Sequence, residues 1–125
     1  MSVSENKSFV RRYLDAINGK EKPAAVVDQF ISEADAVLKQ HIAGYEAAFP
    51  HYALDVEDTI AEADKVVLRF TFSATYGGGF MNIPATGQQV AVPGIIIYRI
   101  ADGKIVEHWM LVDSAVLMQQ LGVQS

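Results

Sequence analysis

The residues whose types and spacing are best suited to chemistry lie close together near the end of the sequence. They are two carboxylates, an imidazole and an indole: Glu107, His108, Trp109 and Asp113. Burial disfavours the charged form of a carboxylate, so a carboxylate inside a cavity can be poised to transfer protons near neutral pH. This segment is therefore the first candidate for acid/base chemistry.

The two faces of this segment offer different chemistry. Alternate residues of a regular strand share a face, so Glu107 and Trp109 lie with Asp113, and His108 lies on the opposite face. If the first face lines a cavity, Asp113 is a candidate catalytic carboxylate near an indole. Asp113 also directly precedes a predicted helix, and aspartate is a preferred N-cap. The two roles are compatible, because a cap can fix the position of a carboxylate.

The neighbouring side chains have ordinary structural roles beside their functional ones. Glu107 is expected to be solvated or to pair with Arg99 or Arg69 across the sheet, and Trp109 to be a core aromatic or a pocket wall. His108 is expected on the outer face or in an interface, or to act as a second proton carrier or a donor to a ligand carbonyl. We keep Glu107 and Trp109 as substrate-binding candidates, and His108 as a catalytic candidate.

Other motifs add two tyrosines to the candidate site residues and argue against a metal site or a nucleotide site. Tyr13 and Tyr45 lie on apolar stripes of predicted helices, and their hydroxyls could reach into a cavity, so both are substrate-binding candidates. The glycines at 77–79 lack both the spacing of a dinucleotide fingerprint and the lysine of a phosphate loop. No two of the histidines form a metal-binding helical pair. We expect no metal and no cofactor.

The elements that position these residues begin with helices. Ser2 and Glu5 have the spacing of a capping box, and an apolar stripe then continues to a stop at residues 18–19. Pro23 suits the first turn of a second, short helix. Asp35 is placed to cap a third helix, which must end near Pro50.

The hydrophobic period then changes to two. Residues 65–76 alternate between apolar and polar, which predicts a strand with one buried face, and residues 52–60 predict its antiparallel partner. Residues 88–100 predict a long strand bent by a Pro-Gly pair, and Asp102-Gly103 predicts a hairpin turn into the last strand, 104–112. A short helix closes the chain. This order predicts an α+β fold, in which helices pack in the concave face of a curved antiparallel sheet and leave a small apolar pocket.

Composition limits the class of protein. The chain has 125 residues, ten basic and fifteen acidic side chains, a net charge of −5 and no cysteine. This length predicts one domain over residues 1–125. An acidic balance without a basic run argues against nucleic acid or a membrane as a partner. No signal-peptide pattern or membrane-length apolar run occurs, so we expect a cytoplasmic protein.

Several segments of the sequence are similar to one known family. They are NIPATG at 82–87, GKIVEHW at 103–109, Asp113 followed by LMQQLG at 117–122, AFP at 48–50, and the helix at 6–13. Together they cover most of the chain and resemble the SnoaL-like polyketide cyclase (ester cyclase-like) family. That family belongs to the nuclear-transport-factor-two-like superfamily of cone-shaped α+β barrels.

The resemblance implies a mechanism without a cofactor. Cyclases of this family close a ring in an aromatic polyketide by intramolecular aldol condensation. An aspartate at the position of Asp113 is the family's expected acid/base, and His108 and Trp109 match a recurrent pair. We therefore expect a small apolar carbonyl-containing substrate, with ring closure or related isomerase or lyase chemistry.

One departure from the family pattern leaves alternatives open. Family members usually carry an extra segment with a polar Asp/His-containing stretch between the second and third helices, and here that segment is missing after Phe30. The pocket is expected to be more open, differently lined, or completed by a second subunit. The alternative function is a non-catalytic module that binds a small molecule or a second copy. We expect a homodimer through the outer sheet face, with an interface formed by Val106, Met110 and Val112 together with Val67 or Ile95 and Ile97.

Overall fold

The computed structural model describes residues 2–80 and 82–122 of the chain. Four α-helices, one short 3-10 helix and four strands follow each other in this order: α1 (Val3–Ile17), α2 (Ala24–Phe30), the 3-10 helix (Glu33–Asp35), α3 (Ala36–Ala48), β1 (Ala53–Glu62), β2 (Lys65–Thr75), β3 (Gln89–Ala101), β4 (Lys104–Val112) and α4 (Ser114–Gln120). The predicted order of elements is confirmed.

The helix starts follow the capping signals in the sequence. Ser2 and Glu5 form a reciprocal capping box at the start of α1, which satisfies two backbone amides of the first turn. Asp35 caps α3 and Asp113 caps α4, each through a side-chain oxygen that accepts an amide hydrogen three residues later. No helix within the described residues is both long and apolar enough to cross a membrane.

The strands form one antiparallel sheet in the order β1-β2-β3-β4. Helix α1 packs against β1 and β2, the 3-10 helix against β4, and α4 against β3. Even-numbered residues of β3 are buried from Val90 to Ile100, so the helix-covered face of the sheet holds the core. The chain is thus an α+β fold with helices on the concave face of a curved sheet, as the sequence predicts.

A bulge decides which face of β4 is buried. Ile100 pairs with Ile105, but Arg99 pairs with Glu107, so β4 carries one extra residue at this point. Beyond the bulge, His108 lies opposite Tyr98, whose side chain is buried. Because paired residues share a face of the sheet, His108 points inward with Met110 and Val112.

The outward face of β4 therefore differs from two of the sequence predictions. Glu107, Trp109 and Leu111 are exposed, so the prediction that Glu107 and Trp109 line the cavity is wrong. The predicted interface is wrong for Met110 and Val112, which face the interior. The bulge is the physical cause, since a one-residue shift exchanges the two faces of a strand.

The segment after α2 runs directly to β4. Ile31 forms a parallel bridge with Ile105, and the Ser32 amide donates to the Ile105 carbonyl at 2.8 Å. The 3-10 helix that follows is therefore held beside β4. This short connection carries Asp35 to the inner face of the last strand.

Candidate functional site

The inner face of the sheet and the helices enclose an apolar cavity of about 40 Å³. Its wall combines α1, α3, all four strands or the segments next to them, and α4. The lining residues are Tyr13, Leu38, His41, Ile42, Tyr45, Tyr52, Leu54, Phe70, Phe72, Val92, Ile96, Tyr98, Met110, Val112 and Leu117. A cavity of this volume has room for only a few water molecules, since one water needs roughly 10–15 Å³ by this kind of measure.

Buried tyrosines provide polar groups in this apolar wall. Tyr13 and Tyr98 are each 1% exposed, and their rings meet edge to face with centroids 5.9 Å apart. Burial raises the pKa of the Tyr13 hydroxyl well above its ordinary value, and the nearby Tyr98 and Tyr52 add to the rise. Burial likewise raises the pKa of Tyr98. Both hydroxyls therefore stay protonated near neutral pH and can act as hydrogen-bond donors.

A carboxylate–imidazole pair lies beside the cavity. His108 Nδ1 lies 2.7 Å from Asp35 Oδ2, and the two side chains are only 9% and 6% exposed. An ionised carboxylate can only accept, so this contact places a hydrogen on Nδ1 of His108. Within residues 2–80 and 82–122, the ring makes no other hydrogen bond. In the neutral ring with a hydrogen on Nδ1, Nε2 is a proton acceptor.

Asp35 is held in place from two sides. Its Oδ1 accepts the Leu38 amide hydrogen at 3.1 Å as the N-cap of α3, and its Oδ2 accepts from His108. A carboxylate that orients an imidazole in this way fixes the tautomer of the ring and stabilises the imidazolium that forms when the ring takes a proton.

His41 connects this pair to the cavity. It belongs to α3 and lines the cavity wall, and its ring meets the His108 ring edge to face at 5.9 Å between centroids. Met110, the next inward residue of β4 after His108, also lines the cavity. The Asp35–His108 pair thus borders the cavity through His41 and Met110.

Asp113 lies apart from this group. Its Oδ1 accepts the Val116 amide hydrogen at 3.1 Å, the residue is exposed, and it is not among the residues that line the cavity. The predicted N-cap is confirmed. The predicted catalytic role of Asp113 stays a prediction, and it would require a substrate that reaches the outside of the cavity.

The other predicted site residues divide between the two faces of the sheet. Tyr13 and Tyr45 both lie in the cavity wall. Glu107 is exposed and pairs with Arg99 at 2.9 Å, as the ordinary interpretation expected, and Trp109 is 45% exposed on the outer face. Only the tyrosines and His108 therefore lie near the cavity.

Two residues near the cavity are not predicted as site residues by the sequence. The sequence predicts Asp35 only as a helix cap and predicts no functional role for His41. A cap uses one carboxylate oxygen and leaves the second free, and His41 lies four residues before Tyr45 on the same helix face. These are the signals that could have placed both residues at the cavity. Among the described residues, no group of three or more His, Asp or Glu side chains is arranged to hold a metal ion.

Comparison with known proteins gives a consistent result. A family model described as SnoaL-like polyketide cyclase matches residues 9–121. The fold is similar to that of AclR from Streptomyces galilaeus, with 30% identity, coverage of 99% of this chain and 89% of that one, and a TM-score of 0.86. It is also similar to TsrD from Streptomyces laurentii, with 24% identity, coverage of 99% of both chains and a TM-score of 0.84.

A third solved structure is described as a SnoaL-like polyketide cyclase from Agrobacterium tumefaciens. It shares 20% identity, with coverage of 98% of this chain and 100% of that one, and a TM-score of 0.78. A comparison with curated proteins found no match.

Proposed function

Because the chain belongs to the SnoaL-like polyketide cyclase family, we propose that its interior site catalyses cofactor-independent proton transfer on a small apolar carbonyl compound. The common step is removal of a proton from the carbon next to the carbonyl, which precedes ring closure, isomerisation or elimination. The main observation that supports this proposal is the 2.7 Å contact between His108 Nδ1 and Asp35 Oδ2 beside the cavity.

In the proposed step, His108 is the base. Nε2 takes the proton from the α-carbon. The electron pair of the broken C–H bond forms a C=C bond, and the carbonyl π pair moves to oxygen to give an enolate. Asp35 stabilises the resulting imidazolium, and a protonated phenol such as Tyr13 or Tyr98 donates a hydrogen bond to the enolate oxygen. The imidazolium then returns the proton to carbon or to the alkoxide of a closed ring.

The family resemblance assigns the same role to Asp113, so the two assignments compete. Asp113 is exposed, and its carboxylate already caps α4. His108 is almost fully buried and is oriented by a charged partner. Neither residue lines the cavity directly, but His108 contacts the lining residue His41, and this contact supports His108 as the base.

The proposal is tested by deuterium uptake into cyclohexanone, followed by NMR in D₂O. The exchange rate with the protein should exceed the exchange rate with free imidazole at the same concentration. His108→Gln should slow the exchange by about a hundredfold, since general base catalysis contributes roughly 10²–10⁴-fold. Asp113→Asn, a matched carboxylate change outside the cavity, should leave the rate unchanged. The opposite pattern would move the base to Asp113.

A second candidate function is a non-catalytic binding module. The observations that favour it are the engaged, exposed Asp113 and the small volume of the cavity. This candidate predicts that cyclohexanone binds without faster deuterium uptake. Binding without exchange would therefore replace the catalytic proposal.

We also propose that two copies pair through the outer face of the sheet. Ile95 and Leu111 lie opposite each other there, as do Ile97 and Trp109, and Ile95, Trp109 and Leu111 are 48%, 45% and 81% exposed. A contiguous exposed apolar patch of this kind is typical of an interaction surface. A twofold axis would place this patch against itself.

Sedimentation tests this pairing. The protein should sediment as a dimer and Leu111→Asp as a monomer. Val37→Asp changes a comparably exposed apolar residue of α3, away from the sheet, and should leave the dimer intact. A monomer at high protein concentration for the unsubstituted chain would exclude the pairing.

A further inference from the structure

The cavity is too small for the molecules that its wall is suited to bind. Its volume is about 40 Å³, whereas an engineered apolar cavity that holds benzene has about 150 Å³ and ligand pockets generally have roughly 300–1,000 Å³. The wall is nevertheless almost entirely apolar, with a few phenol groups. A side chain of the wall must therefore move before an organic ligand can enter.

The imidazole of His41 in the cavity wall is exposed. Among the phenyl and phenol rings of the wall, Tyr45 is the most exposed. The others are at most 6% exposed: Tyr13, Tyr52, Phe70, Phe72 and Tyr98. Tyr45 is only half-buried.

The Tyr45 ring packs among other aromatic rings in the cavity wall. It packs on Phe72 at 5.7 Å between ring centroids and on Tyr52 at 6.4 Å. It is also stacked on Phe80 at 6.3 Å between ring centroids. Aromatic pairs of this kind contribute modestly beyond their buried area, and a ligand ring in the same place would make the same contacts.

We propose that Tyr45 determines the size of the ligand, and that the site takes an apolar carbonyl compound with a single ring, which binds by displacing the Tyr45 phenol. The carbonyl in this ligand class rests on the proposed function, whereas the size limit rests on the cavity and on Tyr45. A fused two-ring compound is larger than the phenol that it would replace, and the cavity of about 40 Å³ adds room for only a few water-sized groups.

Binding of two ketones tests this proposal without any need for turnover. Equilibrium dialysis should show that the unsubstituted protein binds cyclohexanone at least tenfold more tightly than 1-indanone. Tyr45→Ala leaves a permanent space next to the cavity and should bind 1-indanone at least tenfold more tightly than the unsubstituted protein does, a gain of about 1.4 kcal/mol. Tyr45→Phe keeps the ring and should keep the size limit.

Phe30→Ala is the matched control. Phe30 is also a half-buried aromatic residue, but it does not line the cavity, so this variant should gain nothing for 1-indanone. If Tyr45→Ala does not fold, Tyr45→Leu should show a smaller gain in the same direction.

Several results would overturn the proposal. They are equal affinity of the unsubstituted protein for both ketones, binding of neither ketone by any variant, no gain in the Tyr45 variants, and an equal gain in Phe30→Ala. The catalytic proposal fails separately. If the Tyr45 variants change ketone binding as predicted but no deuterium exchange occurs, catalysis is rejected and the size limit is supported. If deuterium exchange occurs but the Tyr45 variants leave the size preference unchanged, catalysis is supported and the size limit is rejected.

Discussion

The buried pair between Asp35 and His108 predicts a large coupling between two residues 73 positions apart. Asp35→Ala leaves an imidazole without its partner and also removes the cap of α3. His108→Phe keeps a ring of similar shape and leaves a buried carboxylate unpaired. Each single change should cost about 3 kcal/mol of unfolding free energy, because removing one partner of a buried charged pair typically costs roughly 3–5 kcal/mol.

The double variant separates the pair from its surroundings. It should lower the free energy of unfolding by about 4 kcal/mol, rather than by about 6 kcal/mol, the sum of the two single changes. The second change removes a group that has already lost its partner, so its additional effect is small. The coupling is then about 2 kcal/mol, within the range for residues in direct contact. Loss of the α3 cap occurs with and without His108, so it cancels from the coupling.

Urea unfolding followed by circular dichroism measures the four stabilities. The control cycle uses Asp58 and Arg69, whose atoms also lie 2.7 Å apart but whose side chains are more than half exposed. An exposed pair should couple by less than about 1 kcal/mol. Single losses at Asp35 and His108 that add to within about 0.5 kcal/mol would show that the two side chains do not interact.

Three further predictions concern the rest of the fold. Gly94→Ala should lower the free energy of unfolding by about 1–3 kcal/mol, because the added Cβ would lie 2.6 Å from the Phe70 ring. Gly44→Ala in α3 is the control and should raise the free energy of unfolding by about 1 kcal/mol, because its Cβ would meet nothing within 4 Å. Urea midpoints measure both variants, and equal shifts would contradict the packing at Gly94. Lys22→Met should lower the free energy of unfolding by about 3 kcal/mol. The reason is that the buried Lys22 ammonium lies 2.7 Å from Glu46 and also donates to two backbone carbonyls. An unchanged thermal midpoint would contradict this prediction. Alkaline pH should also destabilise the fold, because the buried tyrosines have a higher pKa in the folded than in the unfolded chain. Above pH 10.0, the ordinary tyrosine pKa, the unfolded chain loses these protons and the folded chain keeps them. The free energy of unfolding should then fall by up to about 4 kcal/mol per pH unit for three groups. Absorbance at alkaline pH should show that these tyrosines ionise only on unfolding: Tyr13, Tyr52 and Tyr98.

Local signals in the sequence predicted the helices and strands well. The caps at Ser2, Asp35 and Asp113 each involve partners only three residues away, so the chain near them specifies the start of each helix. Alternation in residues 65–76 and the turn at Asp102-Gly103 likewise depend on neighbours. These interactions need no knowledge of the tertiary structure.

The facing of the last strand could not be predicted, because one bulge reverses it. A regular hairpin through Asp102-Gly103 would place Glu107 opposite Tyr98 and therefore inside. The extra residue before Glu107 places His108 there instead. Consecutive apolar residues at 95–97 on the partner strand gave no alternation that could have revealed this shift.

The site itself depends on a contact that no local pattern encodes. Asp35 and His108 meet because Ile31 pairs with Ile105 and draws the 3-10 helix against β4. The absence of a polar family segment after Phe30 stays a prediction. Asp35 and His41 place a carboxylate and an imidazole at the start of α3, and His41 lines the cavity.

In the proposed site, Asp35 holds His108 with its proton on Nδ1, so that Nε2 is free to act as a base. The ¹⁵N spectrum of the His108 side chain measures this directly, with Asp35→Asn as the reference in which the carboxylate is replaced. We predict a protonated Nδ1 and an unprotonated Nε2 that shifts when cyclohexanone is added. A protonated Nε2 with a bare Nδ1, or an Nε2 signal that cyclohexanone leaves unchanged while Asp113 responds, would contradict the account.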